Sequence, residues 1–169
     1  MADDKDKTEE GIPTVKQKTM EIDYGQITIP VHPTMQALTK FCALYIGVDE
    51  NFQILALNDV LVEHQKKFET LKARIYQEVF DREIPKIPEP EPDRSKMTQE
   101  EKQALQDQQA DYGKKITQLQ QKKVELVFPE ITITKDSLQN AMDREAKKEK
   151  GILINPTDIA LLRDFITFI

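Results

Sequence analysis

Tryptophan is absent from this chain, cysteine occurs once, and glycine occurs only five times in 169 residues. The lone Cys42 excludes an internal disulfide and any multi-cysteine metal site. Its apolar surroundings make a small buried hydrophobe the default reading. The five glycines stand singly along the chain, so no glycine-rich loop is available to cradle a phosphate. No apolar run approaches the eighteen or so residues that a membrane span requires, so no membrane association is expected. The opening MADDKDKTEE is acidic where a secretory signal would be basic and then apolar. The location expected from this is cytoplasmic, or a virion if the chain is phage-encoded.

Positive charge is also in short supply. The net charge is −6, whereas a general nucleic-acid binder needs a concentration of cations to displace phosphate counterions. Half of the excess lies in the first ten residues, where Asp3, Asp4, Asp6, Glu9 and Glu10 face only Lys5 and Lys7. The lysine pairs 66–67, 114–115, 122–123 and 147–148 are dispersed, as on solvated helix faces. With 38% hydrophobic and 32% charged residues, the core must be lean, built from Ile, Leu, Val and Phe. Such a core suits helices packed along a seam.

Residues 1–18 hold few apolar side chains and many charges, so they cannot repay the entropy of ordering alone. They form an arm expected to be disordered or bound to a partner. Residues 19–169 then read as a single domain. Met20 and Ile22 alternate on even positions, while Ile27, Ile29 and Val31 alternate on odd ones. A turn at Tyr24-Gly25 reconciles the two parities and predicts a β-hairpin over 19–31. Pro33 suits a first helical position, and Met35, Leu38, Phe41, Cys42 and Tyr45 recur at helical spacing over 34–47, with Gly47 as the stop.

The strongest signal follows. Ile54, Leu57, Leu61, His64, Phe68, Leu71 and Ile75 step by three and four without a miss. They predict a helix over 50–82, capped by Asp49 and roughly 50 Å long at 1.5 Å per residue. Pro85, Pro88, Pro90 and Pro92 make 84–97 an extended connection. It is read as a spacer rather than a proline-rich recognition ligand, because glutamates lie between the prolines. Thr98 with Glu101 forms a capping box opening a second long helix over 98–127. Its stripe of Leu105, Tyr112, Ile116, Leu119 and Leu126 is interrupted by Gln109 and Lys123 and weakened by Gly113. Two such helices joined by a Pro-rich loop fold back most simply as an antiparallel hairpin.

The last third, 130–169, reads strand, helix, strand, helix. Ile131 and Ile133 alternate, Asp136 caps a helix with Leu138, Ala141 and Met142, and Ile152–Ile154 supply the second strand. Asn155-Pro156 then opens a helix carrying Ile159, Leu162, Phe165, Ile166 and Ile169. The segments ITIPVHPTMQAL, ITITKDSLQNAM and ILINPTDIALL share one plan, a short isoleucine strand leading through a cap into a helix. The fold class is therefore mainly α with a small β component (α+β): a long antiparallel helical hairpin with a small sheet of short strands at its base.

Residues suited to catalysis are sparse. His32, His64, Ser95, Ser137 and Cys42 stand far apart in sequence, and no His-x-x-x-His, Cys-x-x-Cys or acidic metal loop occurs. No catalytic, cofactor-binding or metal site is assigned, and no cofactor or small-molecule substrate is expected. His64, the one polar member of the apolar ridge, reads first as a hydrogen-bonded or snorkelling edge residue. A register key or pH-sensitive element is the sharper alternative. The chain end Phe165-Ile166-Thr167-Phe168-Ile169 is apolar on all sides, which fits either burial in a core or docking into a partner.

These readings favour a non-catalytic structural or adaptor subunit of a larger assembly, held through protein partners or self-association. Its proposed interaction residues are Ile54, Leu57, Leu61, His64, Phe68, Leu71, Ile75, Phe165, Phe168 and Ile169. The Lys-, Glu-, Gln- and Ile-rich, glycine-poor composition makes a phage virion or similar particle the favoured setting. An assembly chaperone or regulatory binder is the first alternative, and a nucleic-acid accessory protein the second.

Overall fold

The protein is seen in a computed structural model that describes residues 15–28, 32–85 and 94–169. In chain order the elements are β1 (Gln17–Asp23), α1 (Tyr24–Thr28), α2 (Pro33–Ala43), α3 (Val48–Phe80), α4 (Gln99–Gln120), β2 (Lys123–Pro129), β3 (Ile131–Ile133), α5 (Lys135–Ala146), α6 (Pro156–Leu162) and β4 (Ile166–Phe168), with a 3-10 turn at Arg94–Lys96 before α4. The architecture is mainly helical with two small sheets, β1 against β2 and β3 against β4. The charged arm, apart from residues 15–18, and residues 86–93 of the Pro-rich connection lie outside the described residues.

Helix α3 is continuous over 33 residues, and α4 runs back along its second half. Gln108 donates to the Val79 carbonyl at 3.4 Å, Lys115 pairs with Glu78 at 2.6 Å, and Tyr112 packs against Tyr76 and Phe80 with ring centroids 5.6 and 5.7 Å apart. These contacts seat α4 against the C-terminal part of α3, as the second arm of a helical hairpin. Helix α4 begins at the expected capping box. The Thr98 hydroxyl accepts from the Glu101 amide, and the Glu101 carboxylate accepts from the Thr98 amide.

Three expectations are corrected. The predicted 19–31 hairpin does not form; β1 pairs antiparallel with β2, about a hundred residues away, in the register Met20↔Leu126 and Ile22↔Val124. Tyr24 opens helix α1, which sends fully buried Ile27 into the core, and residues 29–31 lie outside the described structure. The shift in apolar parity thus marks a strand giving way to a helix, a change that local sequence cannot tell from a two-residue turn. Two strand residues, Gln17 and Lys18, also come from the stretch assigned to the arm.

The second long helix ends at Gln120, not at residue 127. Val124, Leu126 and Phe128 alternate with Lys123, Glu125 and Val127, and that period-two run places the apolar set against α3 while the other set faces solvent. Leu126 lies seven residues past Leu119, a spacing that fits a helical stripe as well as a strand. Pairing with β1 decides between them.

The order at the C-terminus is strand, helix, helix, strand. Residues 151–155 form no strand. Leu153 is 78% exposed, whereas Ile154 is buried, and the turn before them is held by the Glu145 carboxylate, which accepts from the Ile152 amide at 3.2 Å. Helix α6 ends at Leu162, and Ile166–Phe168 become β4, parallel to β3 in the register Ile131↔Ile166. Of the three segments with a shared plan, the second has the full strand-cap-helix form, and the first opens with Ile27 and Thr28 in helix α1. The third keeps the cap and helix: Asn155 and Asp158 make a reciprocal capping box with Pro156 in the first turn.

One buried apolar cluster joins these parts. Ile27, Phe41, Leu44, Ile54, Leu57, Leu61, Leu126, Phe128, Ile131, Ile133 and Leu162 are all essentially inaccessible. Helix α6 is locked to α2 by Lys40, whose ammonium donates to both carboxylate oxygens of Asp158 at 2.8 and 2.9 Å.

Candidate interaction surface

The apolar ridge of α3 is divided between the core and the helical hairpin. Ile54, Leu57, Leu61 and Phe68 are buried by the chain's own elements. Leu71 and Ile75 are half-buried. His64 lies edge-on to Tyr24, ring centroids 6.0 Å apart, and Tyr24 in turn meets Phe68 at 5.4 Å. The His64 Nδ1 is buried with no hydrogen-bond partner among the described residues. Burial, with Lys67 adding to it, holds the His64 pKa below its ordinary value against the opposing pull of Glu63.

The chain end divides similarly. Phe165 is buried against Phe128, and Phe168 is half-buried against Phe41. Ile169 keeps its side chain 60% exposed, while its amide donates to Ile133 O at 3.0 Å and its carbonyl accepts from Lys135 N at 2.7 Å.

A second stripe of α3 faces the other way. Val48, Phe52 and Leu55 follow at i, i+4 and i+7 and are 73%, 72% and 48% exposed. An α-helix turns about 100° per residue, so Phe52 and Leu55 each stand roughly 200° from Ile54 and Leu57, two positions on. The stripe thus occupies the face opposite the buried ridge. Tyr45, 57% exposed, extends it across the turn from α2.

The turn that presents this stripe is stiff. Asn51 sits one turn into α3 and reaches back over it. Its side-chain oxygen accepts from the amides of Ile46 at 2.8 Å and Gly47 at 3.2 Å, and its NH2 donates to Leu44 O at 2.8 Å. Gly47, rather than Asp49, is the N-cap, and Asp49 lies in the first turn with Glu50, where carboxylates complement the helix dipole. Arg144 of α5 donates to Tyr45 O at 2.6 Å and stacks its guanidinium 5.5 Å from the Tyr45 ring centre. Tyr45 is therefore held in place although it faces solvent.

The residues with chemical potential are dispersed. His32 caps α2, its Nδ1 accepting from Thr34 N at 3.3 Å. Cys42 is half-buried on α2, and burial, reinforced by Asp59, raises its thiol pKa. Ser137 lies in the first turn of α5, its amide bonded to Thr134 Oγ1. Among the described residues no group of three or more His, Cys, Asp or Glu side chains gathers as metal ligands would. No helix of the described residues is long and apolar enough to cross a membrane.

The exposed stripe is the feature that the sequence reading passed over, though its signal is plain: Val48, Phe52 and Leu55 form a second helical periodicity out of phase with the first. Compared with protein-family models, with curated proteins and with solved structures, the chain matches none.

Proposed function

We propose that this protein is a non-catalytic structural or adaptor subunit that joins a larger protein assembly through the Tyr45–Val48–Phe52–Leu55 surface. The observation that carries the reading is a stiffly held apolar stripe on the solvent face of a helix whose opposite face is already buried. Phe52 and Val48 cost free energy where they stand, on the order of 25 cal/mol per Å² of apolar surface left in water. A protein partner that covers them recovers it. Asp49, Glu50 and Asp59 flank the stripe, so the partner face that fits is apolar at its centre and basic at its rim. A phage virion or similar particle is the setting that the composition favours, and it belongs to the same proposal.

The test is comparative capture from the source cell or particle, with wild-type protein, Phe52→Asp, Val48→Asp and the exposed control Lys66→Asp as baits. Both stripe variants are expected to keep the wild-type melting temperature within a few degrees and to lose a partner that wild type and Lys66→Asp retain. Retention of every partner by both stripe variants, with the fold intact, refutes the reading.

A further inference from the structure

The β1–β2 ribbon is two-stranded, so the outer edge of β1, like that of β2, has no strand paired to it among the described residues. Tyr24 N donates to Lys122 O, and Glu130 N donates to Lys16 O. Both bonds lie on the register that pairs Met20 with Leu126. In an antiparallel pair, directly bonded residues alternate along the strand. Lys18, Met20 and Ile22 therefore turn their backbone groups toward β2, and Gln17, Thr19, Glu21 and Asp23 turn theirs outward. The open edge is seven residues long and carries no proline, and an edge of this kind is a template for strand addition.

We infer that this edge pairs with β1 of a second copy of the chain, making a continuous four-stranded antiparallel sheet across a two-fold axis. Only outward-facing residues can bond each other, and the register centred on Met20 satisfies this at every position. Gln17 then faces Asp23 of the second copy, Thr19 faces Glu21, and each pair also occurs in its mirror sense. No like charges stand directly opposite. Asp23 is already paired with Lys123 at 2.9 Å. The next register, centred on Glu21, sets Glu21 against itself and is disfavoured for that reason. On the inner face the chosen register brings the two half-buried Met20 side chains together, so the apolar layer formed by Met20, Ile22, Val124 and Leu126 continues across the axis.

This contact is separate from the Tyr45–Leu55 stripe and does not depend on it. Its closest like-charge approach is the diagonal Glu21–Glu21 pair, about 7–8 Å apart in such a sheet, and two copies of net charge −6 also repel; salt screens both. Self-association should therefore tighten as salt rises.

Sedimentation equilibrium of the full chain over a wide concentration range tests this. The expected result is a monomer–dimer equilibrium. Thr19→Lys, on the exposed face, places two lysines opposite two glutamates and should tighten it roughly 2- to 30-fold. Thr19→Glu should loosen it by a similar factor, and Phe52→Asp should leave it unchanged. Amide exchange of the wild-type protein gives a second measure, with slowing at Thr19 and Glu21, but not at Met20, as concentration rises. A monomer at every concentration overturns the inference. So does association that is indifferent to both Thr19 substitutions, or protection that appears only around Phe52.

Discussion

Leu55 and Leu57 lie two residues apart on one helix and should answer the same substitution in opposite ways. Leu57 is fully buried and Leu55 is 48% exposed. Truncation to alanine removes three carbons. At about 0.8 kcal/mol per buried methylene, Leu57→Ala loses about 2.4 kcal/mol in transfer free energy. The cavity left among the surrounding side chains raises the loss to about 2.5–5 kcal/mol. Leu55→Ala loses roughly half the transfer term, leaves no cavity, and recovers a little from the helix propensity of alanine, for a net loss of about 1 kcal/mol or less. In a chain of this size each kcal/mol moves Tm by about 2–4 °C. Leu57→Ala should therefore melt roughly 5–20 °C below wild type, and Leu55→Ala no more than about 4 °C below it. Urea titrations followed by circular dichroism at 222 nm should show the same ordering in midpoint at unchanged slope. Equal losses for the two variants, or a larger loss for Leu55→Ala, would show that α3 does not bury the face assigned to it, and the stripe built on that assignment would fall with it.

Three further outcomes follow from particular contacts. Gly113 lies inside α4 with nothing within 4 Å of the position its Cβ would take, so Gly113→Ala should stabilise the protein by about 1 kcal/mol in thermal or urea unfolding. Glu21 stands directly opposite Glu125 on the exposed face of the ribbon; Glu125→Lys should stabilise by about 0.2–1 kcal/mol, with the gain shrinking as salt is added. The His64 pKa is lower in the folded protein than its ordinary 6.5, so the unfolded chain binds the extra proton first as pH falls. Stability is thus lost from about pH 6.5 downward and levels off once the folded histidine titrates. His64→Leu should remove that slope and be at least as stable at neutral pH, since it also removes a buried nitrogen without a partner. Urea midpoints across pH 5–8 that run parallel for His64→Leu and wild type would contradict this.

The parts of the fold legible in advance were those set by neighbours a few residues apart. The Thr98–Glu101 capping box, Pro33 in the first turn of α2 and the Asn155-Pro156 opening of α6 all depend on groups within one turn. The ridge from Ile54 to Ile75 repeats often enough that only a helix can place it on one side. Pairing across long sequence distances was not legible. The alternation of Val124, Leu126 and Phe128 needed the matching alternation of Met20 and Ile22 to become a strand, and neither run names the other. Ile152–Ile154 and Ile166–Phe168 are similar apolar triplets, yet only the second lies beside Ile131–Ile133 and forms a sheet.

The candidate surface divides the same way. Sequence alone determined that α3 is long, that it has one unbroken apolar face, and that the chain is mainly helical with short strands, because helical period and capping chemistry are local properties. Only the tertiary structure decided which apolar face is covered. Burial depends on what else arrives, and here α1, α2, β2 and β3 all arrive on the Ile54–Leu61 side, leaving Val48, Phe52 and Leu55 in water. The open edge of β1 has the same origin, since which side of a strand is unpaired among the described residues follows only from where its partner β2 lies.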